Sequence, residues 1–243
     1  MIPKIVHYIW FGGNPFPEKI QQCIESWKKY LSDYEFILWN ESSFDVNSVL
    51  FTKQAYANKQ WAFVSDYVRV YALNKYGGWY LDTDIEVLKP LERFENSRLV
   101  LGTDHDGALT ALMGSEPGHP YWGKILSFYN SLEFIRPDGS LNMTVNNTYL
   151  QNTLSDYGYL FENKYQELKE GIVIYPDDFF HVANVEKGTL HLTENSYAIH
   201  WHTLLWTSGM SHFMRSFRLR FLKPIFGEER FMKVWEKITS IVK

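Results

Sequence analysis

Ala62-Phe63-Val64-Ser65-Asp66-Tyr67-Val68-Arg69-Val70-Tyr71, followed closely by Tyr76-Gly77-Gly78-Trp79-Tyr80-Leu81-Asp82-Thr83-Asp84, is the stretch that decides the fold. Its apolar spacing predicts a helix from about Trp61 to Tyr76, with Val64, Val68, Tyr71 and Lys75 on one side and Asp66, Arg69 and Leu73 on the other. Gly77-Gly78 supplies a left-handed stop. Trp79-Tyr80-Leu81 then starts a strand that runs straight into Asp82-Thr83-Asp84. Two carboxylates two positions apart at a strand end point to one side and repel each other unless a cation or water offsets them. Hard oxygen donors suit Mn2+ or Mg2+, which leave coordination positions for substrate phosphates. A departing diphosphate needs such neutralisation.

Working outward, Ile5 to Phe11 reads as a buried strand closing at Gly12-Gly13. Pro17 opens a helix with Ile20, Ile24, Trp27 and Leu31 as its stripe, and Tyr34 to Trp39 is the next strand. Strand, helix, strand implies a parallel sheet of the nucleotide-binding kind. Further strands are expected at Arg98–Gly102, Ala108–Met113, Ile172–Tyr175 and Tyr197–Trp201, with helices near 119–133 and 146–156. The fold class is therefore α/β. One domain is expected over 1–210, and the pattern after Gly209 changes to basic amphipathic helix over 211–243.

Composition sets the outer limits. At 243 residues, with 45% hydrophobic and 21% charged residues, the chain has the profile of a globular protein. Aromatic content of 17% fits either an aromatic-rich core or faces that stack on bases and sugars. The single cysteine, Cys23, allows no internal disulfide and falls at helical spacing among apolar residues. Met1 leads directly into an apolar strand, without a signal-peptide pattern, so a cytoplasmic location is expected. The Asn-x-Thr triplets at Asn142 and Asn146 then carry no weight. Residues 212–243 hold eight basic and three acidic residues, a net +5 that leaves −9 for the rest of a chain of net charge −4. Phe213, Phe217, Phe221, Phe231 and Trp235 among those bases describe either terminal helices packed on the domain or a foot on an anionic membrane surface.

The quoted segments, with the opening Ile2-Pro3-Lys4-Ile5-Val6-His7-Tyr8-Ile9-Trp10-Phe11-Gly12-Gly13 and the mid-chain Met113-Gly114-Ser115-Glu116-Pro117-Gly118-His119-Pro120, resemble the sugar-binding DXD glycosyltransferases (family 32 glycosyltransferases). That family includes capsular-polysaccharide enzymes, yeast initiating mannosyltransferases and, more distantly, the catalytic domain of clostridial glucosylating toxins. The resemblance covers roughly residues 1–206 and implies a GT-A fold and retaining hexose transfer from a UDP-sugar with Mn2+ or Mg2+. Trp10 matches the aromatic residue stacking on uracil, the alternative being a core Trp ending a strand. Asp66 and Arg69 match the pair that binds the donor sugar, the alternative being a surface i,i+3 ion pair. Tyr80 matches a tyrosine near the donor, the alternative being a packed aromatic. Asp84 would ligate the metal directly, and Asp82 would contact ribose or sugar and reach the metal through water.

Ala198-Ile199-His200-Trp201-His202, leading to Trp206, resembles the family's late motif ending in Ser-Trp. It makes His200 the candidate third ligand, with His202 on the same side of a strand as a substitute, and Trp206 the phosphate cap; the alternative for a strand histidine is a satisfied structural residue. Leu205 stands where the resemblance expects Ser and cannot coordinate. Asp104, His105 and Asp106, and also Asp177 and Asp178, are either acceptor-side groups or solvated loop carboxylates. The resemblance implies an oligosaccharide or undecaprenyl-linked acceptor in capsule or exopolysaccharide assembly, with peripheral contact to the inner face of the cell membrane. A toxin-like protein glycosyltransferase and a non-catalytic nucleotide-sugar-binding module are the competing readings. Asp82 and Asp84 are too close to serve as the two carboxylates of a glycoside hydrolase, and nucleic acid has no motif in its favour.

Overall fold

The computed structural model describes residues 1–104, 107–184 and 189–203. Strand β1 (Ile5–Ile9) leads through helix α1 (Glu18–Tyr30) to β2 (Glu35–Trp39), then to α2 (Leu50–Ala57) and α3 (Trp61–Tyr76). Next come β3 (Gly78–Leu81), β4 (Ile85–Val87), β5 (Leu99–Asp104) and β6 (Gly107–Ser115), followed by α4 (Pro120–Asn130) and α5 (Asn146–Leu154). The described chain finishes with β7 (Gln166–Glu167), β8 (Ile172–Tyr175), the one-turn α6 (Asp177–Phe180), β9 (Ala183–Asn184), β10 (Thr189–Leu190) and β11 (Ala198–His200). The expected basic helices over 211–243, Leu205 and Trp206 lie outside the described residues, as do His105 and Asp106.

Seven strands form one sheet in the order β2-β1-β3-β6-β5-β8-β7. β1 pairs in parallel with both β2 and β3, whereas β6 runs antiparallel to β3 and β5. The sheet is thus mixed, Rossmann-like in its first half and interrupted by β6. From β1 the chain moves out to β2 and returns on the other side to β3. This makes β1/β3 the switch point, where open α/β sheets leave a crevice at the carboxyl ends of their strands.

Strand alternation decides which side chains meet which helices. Trp79 and Leu81 enter the cluster that also holds Trp27 and Leu31 of the α1 region, while Tyr80 between them enters the cluster of Val64, Val68 and Leu73 from α3. Much of the aromatic surplus goes into these cores: Trp27, Trp79 and Trp122 are fully buried. Cys23 is buried as well, and burial pushes its thiol up to about 12, so it acts as a small apolar residue.

Helix α3 spans the expected residues, but it is not half exposed. Phe63, Val64, Asp66, Tyr67, Val68, Arg69, Val70, Ala72 and Leu73 are all buried, because the sheet lies on one side and α2 and α4 on others. The helix stops at Gly77 with φ 65° and ψ −153°, outside the left-handed helical well and in a region open essentially to glycine. Elements not anticipated from the sequence are α2, whose weakly amphipathic stretch carries no capping side chain, the one-turn α6, and the very short strands β4, β7, β9 and β10.

Candidate active site

The site starts from one helix turn. Asp66 and Arg69, 9% and 7% exposed, lie on α3 with Arg69 Nη2 3.1 Å from Asp66 Oδ1. They are a buried pair and not the surface pair that helix spacing alone allows. Arg69 also places Nη1 3.4 Å from Asp82 Oδ1, and its Nη1 and Nε donate to the carbonyls of Thr110 (3.1 Å) and Ser65 (3.3 Å). Its guanidinium carbon stands 4.6 Å from the centre of the Tyr80 ring. The Tyr80 hydroxyl in turn donates to the same Asp82 oxygen. One arginine therefore links α3, β3, β6 and the first aspartate of the DXD segment.

The electrostatics follow from this burial. Desolvation pushes the Asp66 carboxyl up to about 6; Arg69 opposes that rise and Asp82 adds to it. Burial works against the charge on Arg69, but Asp82, Tyr80 and Asp66 outweigh it and raise its pKa, so it remains a guanidinium. A raised carboxyl stabilises the fold most below its unfolded pKa and loses that contribution as pH rises through about 6. Ionised Asp66 is thus held at a cost to stability.

Asp82 and Asp84 do not lie on a strand. They occupy the turn between β3 and β4, closed by the Ile85 N–H donating to the Asp82 carbonyl at 3.0 Å. The side-by-side arrangement predicted from strand alternation is replaced by a turn, and the grouping of their carboxylates depends on Arg69, Tyr80 and His200.

His200 arrives from 116 residues away because β11 pairs antiparallel with β4, setting His200 opposite Ile85. The Trp201 N–H donates to the Asp84 carbonyl at 3.1 Å. His200 Nε2 then stands 3.4 Å from Asp84 Oδ1, and Asp82, Asp84 and His200 each offer a ligand atom within 4.8 Å of the others. The other ring nitrogen of His200, Nδ1, is buried without a hydrogen-bond partner among the described residues. Two carboxylates and one imidazole form a donor set suited to Mn2+ and acceptable to Mg2+. His202 is not on the strand: it has φ 49°, yet its ring centre lies 3.7 Å from that of His200.

Trp10, at the carboxyl end of β1, is half-buried; its indole N–H donates to the Asn14 carbonyl at 2.6 Å and its ring lies 5.0 Å from Phe16. Two residues escaped the sequence reading. Asn146, at the start of α5 and 2% exposed, donates from Nδ2 to the Asp66 carbonyl at 3.3 Å, while its Oδ1 has no hydrogen-bond partner among the described residues. Asn147 joins that helix to β6 through Thr110 Oγ1 at 2.7 Å. The only sequence signal for either was a polar pair opening a helix. Asp178 is taken up structurally, accepting from Thr193 Oγ1 and Asn195 Nδ2, both at 3.1 Å. Asp177 begins α6, its backbone N–H donating to Asn163 Oδ1 at 2.8 Å.

Comparison with known proteins bears on the segment that holds the DXD turn. Residues 17–101 match the family described as "Glycosyltransferase sugar-binding region containing DXD motif", a span that holds Asp66, Arg69, Tyr80, Asp82 and Asp84. Inositol phosphoceramide mannosyltransferase 3 of Schizosaccharomyces pombe is 33% identical over 49% of this chain and 35% of its own length. Mannosyl phosphorylinositol ceramide synthase CSH1 of Saccharomyces cerevisiae is 31% identical over 52% of this chain and 35% of its own length. The chain therefore spans about a third of the length of these curated relatives. Among solved structures, "PaToxG Glycosyltransferase" is similar with a TM-score of 0.49 and 18% identity, over 64% of this chain and 69% of that one. The resemblance read from the sequence holds over the DXD region, and the carboxylate–imidazole cluster there is a candidate divalent-metal site.

Proposed function

We propose that this chain, a DXD-type glycosyltransferase with a GT-A-like core, is a metal-dependent hexosyltransferase that takes its sugar from a UDP-sugar and retains the anomeric configuration. The observation that carries the reading is the cluster of Asp82, Asp84 and His200 at the end of β3, braced by a buried Arg69. A bound Mn2+ or Mg2+ would be held by Asp84 and His200, with Asp82 alongside, and would neutralise charge on the departing diphosphate. The anomeric C–O bond to phosphate breaks with its electron pair going to the diphosphate. A bond to the acceptor oxygen forms on the same face, and the acceptor's proton passes to the leaving diphosphate.

The chain's own groups supply position. The exposed part of Trp10 at the β1 terminus suits stacking on uracil. Asp66 offers a carboxylate to sugar hydroxyls, and Arg69 fixes both Asp66 and Asp82 while Tyr80 orients Asp82. Trp206 is assigned to the phosphates from its sequence motif. The acceptor is proposed to be an oligosaccharide or a lipid-linked glycan of capsule or exopolysaccharide type, reached at an anionic membrane face by the basic residues of 211–243. No helix among the described residues is long and apolar enough to cross a membrane. The curated relative named as a mannosyltransferase favours a mannose donor as a second reading.

Nucleotide release from UDP- and GDP-sugars, with Mn2+, Mg2+ or EDTA, tests the proposal. Slow release from one donor is expected with metal, lost in EDTA and reduced at least about 10³-fold in Asp84→Ala, as for removal of a group that stabilises leaving-group charge. Neither turnover nor metal-dependent nucleotide binding would return the chain to the class of non-catalytic modules.

A further inference from the structure

Beside the carboxylate cluster stands a second group made only of nitrogen donors. His181 is the residue that ends α6, its N–H donating to the Asp177 carbonyl at 2.8 Å, and it is 7% exposed. Its ring centre lies 4.8 Å from that of His202 and 5.9 Å from that of His200. One ring nitrogen from each of His181, His200 and His202 can be chosen so that all three lie within 4.8 Å of one another. Two of these residues are carried by the β11 segment and the third by α6, which packs against β11.

We propose that His181, His200 and His202 form a second metal site, selective for Zn2+, that shares His200 with the Asp82/Asp84 site. Three imidazoles, with no carboxylate in the group among the described residues, match the preference of zinc, a borderline-soft ion that takes three nitrogens and leaves a fourth position for water. Mn2+ and Mg2+ favour the carboxylate side. The two sites compete through the chemistry of one ring. A neutral imidazole has one lone pair and one N–H. His200 presents Nε2 toward Asp84, while Nδ1 has no hydrogen-bond partner among the described residues. Zinc on Nδ1 fixes the proton on Nε2, which then donates to Asp84 and withdraws that nitrogen from the carboxylate site. Each metal therefore weakens the other, by the reciprocity of linked binding. The site itself stands on the geometry of the three histidines; the competition rests on the metal reading above.

The test is calorimetric titration of Zn2+ into the metal-stripped full chain without nucleotide, with Co2+ absorption as a reporter of tetrahedral coordination and Mn2+ binding followed by electron paramagnetic resonance. The wild type is expected to bind one Zn2+ and to give a visible Co2+ band. His181→Ala and His202→Ala should each weaken Zn2+ by at least tenfold, on the scale of losing a ligand. His181→Ala should leave Mn2+ affinity within about twofold, and Asp84→Asn should do the reverse. Saturating Zn2+ should weaken Mn2+ at least tenfold in the wild type and not in His181→Ala. Zinc binding unchanged in both histidine variants, or lost in Asp84→Asn as heavily as in His181→Ala, overturns the proposal. Absence of sugar transfer with this zinc pattern intact would instead refute the transferase reading alone.

Discussion

Arg69 shows what single residues contribute here. Its side chain reaches two carboxylates and two carbonyls while covering the Tyr80 ring, a set of contacts that needs the planar guanidinium fork. Arg69→Met would strip the buried Asp66 and the partly buried Asp82 of the cation they share. The expected loss is about 3–5 kcal/mol of stability, as when one member of a buried ion pair is removed; urea unfolding reads it directly, and a loss under 1 kcal/mol would contradict the bracing role. Arg69→Lys keeps the charge without the planar fork. It should retain much of the stability and still lower kcat/KM for the donor by about 10²-fold, or roughly 2.7 kcal/mol of transition-state stabilisation. The identities of Asp66, Arg69, Tyr80, Asp82 and Asp84 were legible in the sequence. That Arg69 is a hub and not half of a surface pair was not, because helix spacing gives neighbours along the helix but not what packs over them.

Among elements, the α3–β3 junction does most to place the site. Gly77 and Gly78 both have positive φ, and a methyl group on Gly78 would meet the Ile5 carbonyl oxygen of β1 at 2.6 Å and the Ile5 side chain at 3.0 Å. Here the glycine lets β3 lie close against β1, and so sets the height at which Asp82 leaves the sheet. Gly78→Ala should cost on the order of 3 kcal/mol, combining φ strain with displacement of backbone, seen as a lower denaturant midpoint. If the midpoint holds, the close approach is not what locks β3 in place. The pairing of β11 with β4 is the complementary device, since three residue pairs carry His200 to the DXD turn. The helix and strand patterns from Trp61 to Leu81 were readable because periodicity and glycine stops act locally. β4 was not, because three residues carry no period and their strand character comes from a partner over a hundred residues away.

For the whole molecule, pH is the probe that reaches past the active site. His7 is fully buried in β1, with Nε2 bonded to the Gly77 carbonyl at 2.9 Å and Nδ1 accepting from the Trp39 indole at 3.1 Å. A second proton would set two N–H groups against each other, and burial already lowers the His7 pKa to about 4. Between its ordinary value near 6.5 and that lowered one, the unfolded chain takes up a proton that the folded chain refuses. Stability from His7 is therefore complete above about pH 6.5 and is lost as pH falls toward 4, by about 3 kcal/mol. His119, also held low by burial, adds to the slope. Denaturant titrations from pH 8 to 4 on the wild type and His7→Gln check this; equal slopes would clear His7 of the effect. The sequence by itself determined the α/β class, the parallel start of the sheet and the DXD segment with its attendant Asp66 and Arg69, because these are written in local period, turn residues and short motifs. Only the tertiary structure decided that β6 runs antiparallel through the sheet, that the two aspartates sit in a turn, and that pairing of β11 with β4 is what carries His200 to them while His181 approaches from α6. Those facts depend on which distant strands pair and which surfaces are buried together, and no local spacing encodes either.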